Sequence, residues 1–123
     1  SWNGSFVINS HPEASFSPYR SNDYGFYVVS IEGVKQSGYV LCDTAMSSFG
    51  KTAKEWRETI QEYFTIHQKE ETPFITEFHP YFIANNPDWW NEFIKLLDWL
   101  EKQNIKNVTT QQLIDSTCTI CGE

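Results

Sequence analysis

The stretch ITEFHPYF, residues 75–82, sets a histidine directly before a proline at the end of a strand-type run. Imidazole exchanges its proton near neutral pH, so His79 suits acid–base chemistry or metal ligation. By the period-two alternation of a strand, Ile75, Glu77 and His79 share one face, and Phe74, Thr76 and Phe78 share the other. Glu77 is therefore the candidate to orient or pair with the His79 ring. A histidine satisfied by backbone partners at a strand end is the alternative. His67 closes the apolar stripe of a helix, where it is expected to cap the stripe and meet solvent. Cys118 and Cys121 form a single C-x-x-C, at most half of a zinc site, or a redox pair without the usual strand-to-helix setting. A tail pair without function is the simpler reading. With Cys42 the thiols number three, which excludes a complete disulfide framework. Asn3-Gly4-Ser5 and Asn107-Val108-Thr109 match the glycosylation pattern, which carries meaning only in a secretory pathway.

Strands and helices must position these groups. SFVIN opens the chain as a short strand, and the Ser/Pro/Asn-rich run after it reads as an irregular loop. Residues 25–32, GFYVVSIE, are β-branched and aromatic, the pattern of a buried strand, and 38–43, GYVLCD, is a shorter one. Ala53, Trp56, Ile60, Phe64 and His67 fall at spacings of three and four, an amphipathic helix over 51–68. PFITEFH, 73–79, is a strand opened by proline. After a loop, Asn86 as N-cap, Pro87 at the first helical position and Asp88 in the first turn start a helix over 87–103. Trp90, Phe93, Leu97 and Leu100 form its expected buried stripe, broadened by Trp89 and Leu96, and Asn104 is placed to stop it in the left-handed conformation. KNVT reads as a last strand, and Thr110 as the cap of a short final helix. Strands alternating with helices imply βαβ units and a parallel sheet. The expected organisation is one domain, or one segment of a larger domain: an irregular lead-in over 1–24, β/α units over 25–115 and a tail over 116–123.

An excess of 16 acidic over 9 basic side chains, net −7, argues against nucleic acid as a partner. No stretch approaches the roughly 20 apolar residues of a membrane span. Five Trp, six Tyr and nine Phe point first to an aromatic core and second to a sugar-binding surface, because ring faces pack on pyranose rings.

ITEFHPYF, the Trp- and Leu-rich WWNEFIKLLDWLEKQN, and IKNVTTQQLID follow one another as the last elements of the polysaccharide deacetylase (NodB homology) family do. DYGFYVVSIEG is similar to that family's preceding strand. The resemblance covers about residues 20–115 and is firmest from 73 onward. It implies a distorted (β/α) barrel, of which this chain is the C-terminal part, and removal of acetyl groups from a carbohydrate polymer. It implies a divalent metal, commonly zinc, held by one Asp and two His, with a second Asp activating water. By motif position His79 corresponds to the acid that protonates the leaving group. Tyr81 and Phe82, just past it, are the candidates for substrate binding.

The family's F-D-D strand and H-x-x-x-H pair do not occur here; in SHPEAS, Ser15 stands where a second histidine is needed beside His11. The metal ligands are therefore expected upstream of this chain, with none inside it, and the chain alone is expected to be inactive. The family's Leu-x-His is here Glu77-Phe78-His79, a carboxylate where a methyl pocket is usual. The missing barrel portion, in the same or another chain, and an acetylated glycan are the expected partners. An extracellular or cell-envelope location follows from the resemblance alone. A second reading is a catalytically inactive carbohydrate-binding or structural α/β module.

Overall fold

Thr52 and Glu55 form a capping box at the start of a helix. In the computed structural model the Thr52 hydroxyl accepts from the Glu55 N–H, and the Glu55 carboxylate accepts from the Thr52 N–H, each at 3.1 Å. That reciprocal cap satisfies two of the donors a helix leaves unpaired at its start. The structure describes residues 2–3, 19–20, 27–28, 30, 32–34 and 40–121, and most of these are helical. They fall into two compact units, one of Ser1–Val40 with Lys106–Glu123 and one of Leu41–Ile105.

Among its described residues the first unit holds three strands, β1 (Trp2–Asn3), β2 (Tyr19–Arg20) and β3 (Tyr27–Val28). β3 lies between the others, parallel to β1 and antiparallel to β2. Among the described residues of the expected strand 25–32, Tyr27–Val28 are a strand, and Ser30 and Glu32 are buried. The SFVIN strand and SHPEAS lie outside the described residues. Where KNVT was expected to form a strand there is a helix cap instead. The Thr109 hydroxyl accepts from the Gln112 N–H at 3.1 Å, and the Gln112 side chain accepts from the Thr109 N–H at 2.9 Å. The cap therefore sits one residue before the expected Thr110.

The second unit carries four helices in order: α1 (Asp43–Ser48), α2 (Ala53–Glu70), α3 (Pro80–Asn85) and α4 (Pro87–Glu101). In the first unit, α5 (Thr110–Cys121) completes the order. α2 buries Ala53, Trp56, Ile60, Phe64 and His67, the stripe its spacing predicts, with Tyr63 beside them. Trp56 lies against Trp89, Phe78 and Phe93, with ring centroids 5.2, 6.0 and 6.4 Å away. Phe64 meets Phe74 and Trp99 edge-on. Rings of this size supply most of the apolar area that holds such a small unit together.

α4 begins where Asn86-Pro87-Asp88 place it, but its buried face differs from expectation. Trp89 and Leu96 are buried, Phe93 and Leu100 half-buried, and Trp90 and Leu97 lie 46% and 43% exposed. Residues 89–100 are apolar around more than half the helix, so spacing alone admits both phases. The inward phase is the one that stacks Trp89 on Trp56 and brings Glu92 to Arg57, whose Nε donates to its carboxylate at 2.5 Å. The helix ends at Lys102 in an ordinary right-handed conformation, and Asn104 makes no left-handed stop. The one left-handed non-glycine among the described residues is Glu71, at the end of α2.

The described residues form an α-rich arrangement, and no barrel closes among them. The expected strand 73–79 is reduced to one parallel bridge, Glu77 with Cys42, and a bond from the Thr76 hydroxyl to the Leu41 carbonyl at 2.5 Å. The expected strand 38–43 is likewise cut short. Val40 bridges antiparallel to Gly33, Cys42 bridges to Glu77, and Asp43 already begins α1. A chain that turns into a helix after one bridge leaves no room for further ladder bonds.

Candidate functional site

The Cys42–Glu77 bridge sets two chain segments side by side, and each turns into a helix just beyond it. One turns at Asp43 into α1 and the other at Pro80 into α3. Proline at the first helical position costs no hydrogen bond and fixes φ for the turn. The residues at these two exits, Asp43 and His79, meet.

The Asp43 side chain is 0% exposed, yet its carboxylate is well provided with donors. Its Oδ1 accepts from the Thr44 N–H at 2.8 Å and from His79 Nδ1 at 2.6 Å, and its Oδ2 accepts from the His79 N–H at 2.8 Å. A buried carboxylate is tolerated only when its oxygens are satisfied in this way. The Thr44 hydroxyl lies 3.4 Å from the same Nδ1 and 3.6 Å from Cys42 Sγ. Cys42 Sγ accepts from the Ala45 N–H at 3.4 Å and so caps α1.

These bonds assign the His79 ring. A carboxylate can only accept, so the hydrogen on the short contact belongs to Nδ1. Nε2 has no hydrogen-bond partner among the described residues, and the side chain is 30% exposed. The ring is thus held at one nitrogen and open at the other, the arrangement of a histidine that passes a proton at Nε2. Tyr81, 67% exposed, stands edge-on to the ring at 5.9 Å.

Of the residues singled out in the sequence, His79 and Tyr81 come together here. Glu77 does not pair with the imidazole. Its side chain is exposed, it makes no hydrogen bond or ion pair among the described residues, and Asp43 takes the orienting place. Phe82 turns away to pack edge-on against Trp89 at 5.2 Å, so its ring is spent on the core. His67 is buried rather than at the solvent edge, with Nδ1 2.8 Å from the Thr72 hydroxyl and its ring on Phe74. Asp43, Cys42 and Thr44 are the members that sequence reasoning passed over.

Comparison with known protein families, with curated proteins and with solved structures finds no match. No described helix is long and apolar enough to cross a membrane.

Proposed function

We propose that this chain is part of a deacetylase-like hydrolase that removes acetyl groups from a carbohydrate polymer, with His79 as the proton donor to the leaving group. The observation that carries this reading is the Asp43–His79 pair, a buried carboxylate holding Nδ1 while Nε2 stays open beside an exposed tyrosine. As water adds to the acetyl carbon and the bond from that carbon to nitrogen or oxygen breaks, an amine or alkoxide departs. A His79 ring that carries a second proton, on Nε2 as well as on Nδ1, gives up the Nε2 proton to neutralise it. Asp43 is the positioning residue, fixing the ring through Nδ1 and the backbone through the His79 N–H. Tyr81 offers a ring face to a sugar.

In the finer reading, Leu41–Asp43, α2 and 74–79 are one β/α unit of a partial (β/α) barrel, and the two functional residues sit at the C-terminal ends of its strands, where barrel enzymes keep their chemistry. The remaining units come from outside this chain. The resemblance to polysaccharide deacetylases implies a divalent metal, zinc by preference, on one Asp and two His. The described residues do not fit that set. His67 is committed to Thr72 and Phe74, and no second histidine accompanies His79. Those ligands belong upstream in this reading, and no step here runs through the ion.

The test is acetate release from an N-acetylated oligosaccharide by the longest natural form of the protein. His79→Ala should lower turnover by roughly 10²–10⁴-fold, the usual worth of positioned acid–base assistance. The loss should shrink on acetyl esters with good leaving groups, which depart without a proton. An equal loss on both substrates, or none, ends the assignment. Glycan binding without turnover in the parent protein favours the inactive binding module, a reading that the exposed Tyr81 ring also supports.

A further inference from the structure

Three side chains at the same corner have the chemistry of metal ligands. Cys42 Sγ, a carboxylate oxygen of Asp43 and a ring nitrogen of His79 all lie within 4.8 Å of one another. We propose that Cys42, Asp43 and His79 form a binding site for a single thiophilic divalent cation of the zinc type, with the fourth position open to water. The proposal does not rest on the hydrolase reading, and it departs from the expectation that this chain holds no metal ligands.

The donor set argues for it first. Thiolate, carboxylate and imidazole are the three groups that bind zinc in proteins. One thiolate and one carboxylate carry two negative charges, which balance a dication and leave the buried corner neutral once the ion is in place. Cys42 and Asp43 are both buried, so such balance matters, because an unbalanced charge there carries a large desolvation cost. Cys42 is a free thiol, so its sulfur is available. Sulfur also decides between metals: it favours zinc-like ions over magnesium or calcium, which prefer oxygen.

The outer contacts argue for it second. Metal ligands work best when their other lone pairs are already held by hydrogen bonds. Here Asp43 accepts from the Thr44 and His79 N–H groups, and Cys42 Sγ accepts from the Ala45 N–H. None of these three bonds has to break. The Thr44 hydroxyl is within reach of the sulfur as a further donor. The contacts that must open are those of His79 Nδ1, to Asp43 Oδ1 at 2.6 Å and to the Thr44 hydroxyl at 3.4 Å. With metal–ligand distances of about 2.0–2.3 Å, a tetrahedral site needs donor–donor spacings of roughly 3.3–3.7 Å. Two side chains therefore shift by about 1 Å or less to admit the ion. The ion takes the place of the hydrogen on Nδ1, a second proton leaves the Cys42 thiol, and Nε2 stays where it was. The partial exposure of His79 gives the ion its route in and the open position its water.

Cobalt(II) reports the site, because a thiolate bound to it shows a charge-transfer band in the near ultraviolet. The full chain carrying Cys118→Ser and Cys121→Ser, stripped with chelator, leaves Cys42 as its only thiol. Titration with cobalt(II) should reach one ion per chain with that band, and zinc should displace it. Cys42→Ser keeps an oxygen that caps α1, so the fold is retained while the thiolate is lost. It should abolish the band, with circular dichroism unchanged. His79→Ala and Asp43→Asn should each weaken uptake at least tenfold. No uptake, uptake without the band, or a band that survives Cys42→Ser overturns the proposal.

Discussion

Asp43→Asn should destabilise the Leu41–Ile105 unit by about 2–4 kcal/mol. The wild-type carboxylate accepts three N–H bonds, two on Oδ1 and one on Oδ2, in a fully buried position. An amide has one accepting oxygen, so its NH₂ faces either the His79 N–H or the pair of donors at Thr44 and Nδ1. At least one buried donor then loses its acceptor, at a cost of about 1–3 kcal/mol. The bonds that remain fall from charge-assisted to neutral strength, worth about another 1 kcal/mol together. Urea unfolding followed by tryptophan fluorescence reads the sum. With a slope of about 1.5 kcal/mol per molar, the midpoint should fall by roughly 2 M. Glu77→Gln serves as the control, and its midpoint should match the parent, because that exposed carboxylate holds nothing. An Asp43→Asn midpoint indistinguishable from the parent refutes the account of Asp43 as the group that ties the two segments together.

Leu96→Ala should cost about 2–5 kcal/mol and Leu97→Ala less than about 0.5, since Leu96 is 0% and Leu97 43% exposed; thermal melts of the two variants read the phase of α4 directly. The hydrogen bond from Arg57 holds the Glu92 carboxyl below its ordinary value of 4.5, against the pull of partial burial and with help from Lys95. A carboxyl depressed in the folded state stabilises the fold above its unfolded pKa, and that stability is lost as pH falls through the folded value. Between pH 7 and about 4.5 the parent should therefore keep its advantage over Glu92→Gln, and below that range the two unfolding midpoints should converge. Glu71 holds a φ of 58° at the end of α2, so Glu71→Gly should raise stability by about 0.5 kcal/mol, readable as a higher melting temperature.

α2 and α4 were legible because their signals are local, whereas α1 lay where a strand over 38–43 was expected to end and α3 where a loop was expected. The Asn-Pro-Asp start of α4 and the three-and-four spacing of the α2 stripe need no knowledge of distant residues. The phase of α4 was not legible, because Trp89, Trp90, Leu96 and Leu97 offer two apolar faces and only the partners Trp56 and Arg57 choose between them. Strand runs misled for a related reason. Residues 73–79 alternate as a strand does, and Phe74 and Phe78 do face the core, yet one bridge is all the ladder they make. His79 drew attention by its place before Pro80. Asp43 did not, being 36 residues away at the end of another run. The same alternation pointed to Glu77, a carboxylate nearer in sequence and exposed to solvent. A signal was present all the same: 38–43 and 73–79 flank one helix and each ends on an ionisable residue, and a βαβ unit brings such ends together.

The account turns on the hydrogen that Nδ1 of His79 gives to Asp43, and the nitrogen NMR signals of that imidazole test it most directly. In the singly protonated ring the account predicts the hydrogen on Nδ1, with Nε2 showing the shift of a bare nitrogen, and it predicts loss of that preference in Asp43→Asn. A ring that carries its hydrogen on Nε2, with Asp43→Asn leaving the spectrum unchanged, would contradict it.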